Sequence, residues 1–178
     1  MRVNLICHPD TPCDAIDAIV VDVSDVEGTP QVLLRYEATG DIGSLSLPAA
    51  ASPERADDLW QHTCFEAFVR EAASSEYSEF NFSPSGEWAA YHFEDYRSGM
   101  RNADVSAPAI AGSSGQTHYA LHVAFDLPGA PPWRLALSAV IEETNGRKSY
   151  WALAHAPGKP DFHHADAFAY ELAPRERA

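Results

Sequence analysis

The sequence predicts an all-β protein, a two-sheet antiparallel β-sandwich of immunoglobulin-like or jelly-roll type. Short apolar runs rich in Val, Phe, Tyr and Trp recur along it. Gly, Pro, Ser and Asp punctuate these runs, and no long helical stripe separates them. Closely spaced short strands with turn signals between them build sandwiches or barrels. The 178 residues are 46% hydrophobic and 21% charged, which suits one globular domain over 1–178 and excludes a disordered chain.

Each element has its own reason. Residues 18–23 and 32–38 read as the first two strands, joined by the turn-rich Glu27-Gly28-Thr29-Pro30, and 42–47 reads as a third. Segments 77–83 and 87–93 flank Ser83-Pro84-Ser85-Gly86. That is a good hairpin connection, because Pro presets φ and Gly tolerates positive φ. Segments 119–127, 133–142, 149–154 and 167–172 complete the set. The stretch 57–73 fits a helical stripe (Trp60, Cys64, Ala67, Phe68) as well as an alternating one (Thr63, Phe65, Ala67, Val69). Residues 98–115, rich in Gly, Ala, Ser and Pro, read as a long loop or flap.

Alternation assigns faces. Leu121, Val123 and Phe125 oppose His122 and Ala124; Leu135, Leu137 and Ala139 oppose Ala136 and Ser138; Phe80 and Phe82 oppose Glu79 and Asn81. If 63–70 is a strand, Phe65, Ala67 and Val69 oppose Cys64, Glu66 and Phe68. Several strands thus carry one aliphatic face and one that mixes carboxylates, amides, His and Ala. Such a mixture suits a concave, partly covered surface as well as it suits a plain outer face.

Charge removes some functions. The net charge of −14 and only two lysines, Lys148 and Lys159, argue against a nucleic-acid footprint. No apolar run is long enough to span a membrane as a helix, and no secretory signal is evident at the start. Three cysteines without a Cys-x-x-Cys pair indicate neither a disulfide framework nor a zinc ribbon, so a reduced, cytoplasmic compartment is expected. His118 and His122 share a strand face about 13 Å apart, too far for one ion, and no metal site is expected.

The chemistry that remains is ligand binding. Aromatic plates give apolar contact to the C–H faces of a sugar ring while carboxylates and amides take its hydroxyls. Trp60, Trp88, Tyr91 and Trp151 offer plates; Glu66, Glu79, Asn81 and Arg97 offer polar contacts. Trp88 and Trp151 could equally fill a sandwich core, and Glu66 and Glu79 could equally pair with Arg97 or Arg70 in a structural ion pair. His155, Asp161 and His163, on a late loop, complete the candidate ligand-binding set. Paired carboxylates also serve glycoside hydrolysis, but spacing in sequence cannot supply their separation in space.

The segment Asp57-Asp58-Leu59-Trp60-Gln61-His62-Thr63-Cys64-Phe65-Glu66-Ala67-Phe68-Val69 and the hairpin from Tyr77 to Tyr91, with its Tyr77-Ser78-Glu79-Phe80-Asn81-Phe82-Ser83-Pro84-Ser85-Gly86, carry a resemblance. They resemble DOMON-like domains related to family 9 carbohydrate-binding modules, in particular the group sometimes fused to UDP-N-acetylenolpyruvoylglucosamine reductase. Residues 93–100 and the late stretch from His155 to His163 look similar too. The resemblance implies that 63–70 is a strand and that the chain is a non-catalytic module binding a saccharide, or another small polar ligand, on a concave sheet face. It matches Trp60 and Glu66 to one aromatic wall and one polar contact, and leaves the second wall open between Phe162 and His163. Its alternatives are a haem-binding domain for electron transfer or sensing, with Met100 and His155 or His163 as axial ligands, and a regulatory partner of a cell-wall enzyme. No cofactor is expected.

Overall fold

The computed structural model describes residues 1–173. They form β1 (Arg2–Cys7), β2 (Ile16–Asp25), β3 (Gln31–Gly40), β4 (Cys64–Glu71), β5 (Tyr77–Phe82), β6 (Trp88–Phe93), β7 (Arg101–Asn102), β8 (Ala109–Ser114), β9 (His118–Asp126), β10 (Trp133–Glu142), β11 (Lys148–Ala152) and β12 (Tyr170–Leu172). Three 3-10 turns, Ile42–Ser44, Leu59–Gln61 and Ala165–Ala167, are the only helical pieces among the described residues. The all-β expectation holds.

The strands run in the order β7-β6-β5-β4-β10-β11-β1-β2-β3-β9-β8, with β12 pairing the far end of β10. Every pairing is antiparallel. The ladder does not divide into the two sheets expected. Strand β1 joins its halves: Arg2 to Leu5 pair with β2, and Ile6 and Cys7 pair with β11. The result is one curled antiparallel sheet whose two halves pack on each other. Tyr36 meets Phe65 at 5.2 Å between ring centres, and Phe80 meets Phe125 at 4.6 Å. The Tyr36 hydroxyl donates 2.8 Å to the Glu66 carbonyl across the same interior.

Alternation sets the core as expected. Phe65, Ala67 and Val69 of β4, Phe80 and Phe82 of β5, and Leu135, Leu137 and Ala139 of β10 join Val21, Leu34, Leu121 and Val123 in one main cluster. A second cluster, with Phe68, Tyr77, Tyr91, Phe93, Phe162 and Phe168, lies on the other face of β4, β5 and β6. It forms because the connection from β11 to β12 folds back over that face.

Three local expectations are corrected. Residues 42–47 form a 3-10 turn and a single bridge between Leu45 and Glu143, not a strand. The stretch 98–115 is not one loop, since it contains β7 and the edge strand β8, whose small residues give little β signal. The ambiguous 57–73 splits into the turn that carries Trp60 and the buried strand β4.

Candidate functional site

The second face carries a cavity of about 890 Å³. Register explains its floor. Glu66 pairs across to Ser138 of β10 on one side and Asn81 of β5 on the other, and Glu79 pairs with Phe68 and Tyr91. Glu79 lies two residues from Asn81 on the same face, so Glu66 and Glu79 are diagonal neighbours, about 7–8 Å apart in backbone terms. Both line the cavity, at 3% and 7% exposure.

Their partners are neutral. Ser138 Oγ donates 3.2 Å to Glu66 Oε2, and Asn81 Nδ2 donates 2.7 Å to Glu79 Oε1. No hydrogen bond reaches Glu66 Oε1 among the described residues. Burial, then the charge of Glu79, push the Glu66 carboxyl well above its ordinary range against the Ser138 bond. Burial also raises Glu79, opposed by Asn81 and the charge of Arg97. The alternative of a structural ion pair with Arg97 or Arg70 is not what the described residues form. Arg97 gives its guanidinium to Asp161 Oδ1 at 2.8 Å, and Arg70 lies 4.7 Å over the Phe168 ring.

Loops build the walls. The turn Leu59–Gln61 follows Asp58, at φ 62°, and presents Trp60 with 49% exposure at the cavity edge. Arg97, at φ 50°, is held by its amide bond to the Tyr77 hydroxyl (3.2 Å) and by Asp161, which also accepts from Tyr96. Asp58 and Arg97 are the only non-glycine residues with positive φ among those described, and both line this cavity. Backbone strain of that kind collects at ligand sites. Tyr91 donates 2.6 Å to Asp57 Oδ1, which ties the turn to β6.

His163 closes the floor from the late loop. Its ring packs edge-on against Phe68 at 5.0 Å and Phe93 at 5.1 Å, and Nδ1 lies 2.7 Å from the Tyr77 hydroxyl. The Tyr77 oxygen also accepts from the Arg97 amide N–H, so one hydroxyl links Arg97 and His163, with the direction of the His163 bond set by the ring tautomer. Burial and the nearby Arg97 charge lower the His163 pKa to about 4, against the pull of Asp161. His163 Nε2 stands 3.7 Å from Glu79 Oε2, so this contact is neither a hydrogen bond nor, with a neutral ring, an ion pair.

The structure therefore brings Trp60, Glu66, Glu79, Tyr91, Arg97 and His163 together around one cavity. Asn81 and Asp161 stand behind them and hold Glu79 and Arg97. Three candidates are elsewhere, the first being Trp151, which is buried in the main core. Trp88 shares the parity of Ala90, so it points into the main core, where the Arg55 guanidinium lies 4.5 Å from its ring. His155 bonds the Ile6 carbonyl at 2.7 Å and packs on His8, outside the cavity lining. Met100 and His163 both line the cavity, but the nitrogen of His163 that faces Tyr77 is already committed. No group of three His, Cys, Asp or Glu suited to a metal occurs among the described residues. Sequence reading missed Asp57, Asp58 and Tyr150. Strand parity could not find the first two, because loops place them; Tyr150 shares parity with Ala152 on the same face.

An all-β antiparallel fold with a polar, ring-walled cavity on one face is the class this geometry defines. Solved structures share the fold. A candidate carbohydrate-binding protein from Bacteroides uniformis superposes with a TM-score of 0.62 at 15% identity, over 94% of this chain and 83% of that one. A family 9 carbohydrate-binding module from Caldicellulosiruptor kristjanssonii, solved in complex with glucose, gives 0.54 at 10% identity, over 90% and 78%. No protein-family model and no curated protein matches the sequence.

Proposed function

We propose that this protein is a non-catalytic module that binds a saccharide in the cavity over β4, β5 and β6. One observation carries the reading: the half-exposed Trp60 ring stands at the edge of a cavity floored by two buried carboxyl groups. A sugar can stack its C–H face on the ring while its hydroxyls bond to Glu66 and Glu79. The glucose-bound family 9 module of the same fold supports this ligand class. On this reading the chain is a DOMON-like relative of those modules, and a cell-wall enzyme is the partner it would serve. Catalysis is not part of this reading, which follows the solved structures of the same fold, named as a carbohydrate-binding protein and a carbohydrate-binding module.

The test is a glycan-array screen followed by calorimetry on wild type and Trp60→Ala. The variant is expected to lose about tenfold or more in affinity, roughly 1.4 kcal/mol or more, with its melting temperature almost unchanged, since Trp60 is half exposed. Undiminished sugar binding by Trp60→Ala would remove Trp60 from the site. Absence of binding to any glycan by the folded wild type would overturn the reading.

A further inference from the structure

The cavity is acidic and aromatic at once. Asp57, Asp58, Glu66 and Glu79 bring four carboxyl groups to it, against the cations Arg97 and Lys159. Arg97 is already neutralised by Asp161 at 2.8 Å, and Lys159 sits exposed on the late loop. On the floor, the polar contacts of Glu66 and Glu79 among the described residues are Ser138, Asn81 and a neutral imidazole; Arg97 acts on Glu79 only through its field, without a bond. Buried carboxyl groups with no cation beside them are rare, because burial without a counter-charge is costly. The walls are rings, among them Trp60, Tyr91, Phe93, Tyr150 and Phe162. Ring faces attract cations, more strongly where water is excluded.

A neutral sugar would use the rings and the acceptor atoms but would leave the two carboxyl groups without a cation bonded to either. An ammonium group supplies the missing charge and three donors, one of which can reach the free Glu66 Oε1. We infer that the cavity selects an amino sugar with a free, protonated amine, the ammonium seated beside Glu66 and Glu79 and the ring resting on the aromatic wall. The inference rests on the saccharide reading and narrows it. Placing the charge there favours the ionised forms of both carboxyls, which burial otherwise disfavours.

N-acetylation keeps the sugar ring and removes the charge, so it makes the deciding comparison. Calorimetry at neutral pH and low salt would set glucosamine against N-acetylglucosamine and glucose. Glucosamine is expected to bind about tenfold or more tighter than both, with the advantage falling as salt is raised. Glu66→Gln and Glu79→Gln, each checked by thermal melting, should lose most of that preference. If either variant fails to fold, the wild-type comparison decides alone. Glucose or N-acetylglucosamine binding as tightly as glucosamine would overturn the inference and leave the saccharide reading standing. No binding of any of the three, or of the wider glycan array, by folded wild type would overturn both.

Discussion

At Glu66 the fold accepts a titratable group under unfavourable conditions. Its pKa is raised above the ordinary 4.5, so the folded chain keeps a proton that the unfolded chain releases. Stability from this residue is therefore lost as pH rises from about 4.5 through the folded value. Glu66→Gln keeps an acceptor for Ser138 and removes that loss. It should raise the melting temperature at neutral pH, by about 2–4 °C for each kcal/mol gained, with the gain vanishing near pH 4. A drop of 3 kcal/mol or more, roughly the cost of breaking a buried ion pair, would mean a cation partner that the structure does not show. His163 works in the opposite sense. Its pKa falls from 6.5 to about 4, so its contribution is present above 6.5 and is lost as pH falls toward 4. His163→Asn should flatten the acid side of the Tm–pH profile across that window; an unchanged slope would contradict a buried neutral imidazole.

Among the elements, β1 is the joint. It pairs with β2 through Arg2 to Leu5 and with β11 through Ile6 and Cys7, so the curl of the whole sheet passes through six residues. Leu5 buries its side chain in the main core from this strand. Leu5→Ala should cost about 2–5 kcal/mol, read from urea melts with an unchanged m-value. A cost under 1 kcal/mol would show that the joint carries little of the fold. The sequence left β1 unmarked because Ile6 puts an apolar side chain on the exposed parity of Arg2 and Asn4, which masks an alternation whose inner face is Val3, Leu5 and Cys7. Edge strand β8 was hidden for a different reason. Apart from Ile110, its Ala, Gly and Ser residues lack the branched or aromatic side chains that mark a strand, and pairing with β9 together with Ile110 against the main core holds it there.

For the whole molecule, one core cluster draws on β2, β3 and β9 from one half of the sheet and on β4, β5 and β10 from the other. Unfolding should therefore be a single transition, with near- and far-UV circular dichroism coincident and the calorimetric enthalpy equal to the van't Hoff value. Two resolved transitions would show that the halves fold apart. Period-two alternation is local, and it determined which residues of β5, β9 and β10 face the core and that Glu79 and Asn81 share the other face; for β4 and Glu66 it gave the faces only once the resemblance had made 63–70 a strand. It could not decide whether 57–73 was helix or strand, because apolar spacing there fits both periods. Nor could it say that Trp88 points inward while Trp60 stands at a cavity edge, or that Arg97 answers Asp161 rather than either glutamate. Those outcomes depend on which strands become neighbours and where the loops return. Such contacts join residues dozens of positions apart, and only the folded chain brings them within reach of one another.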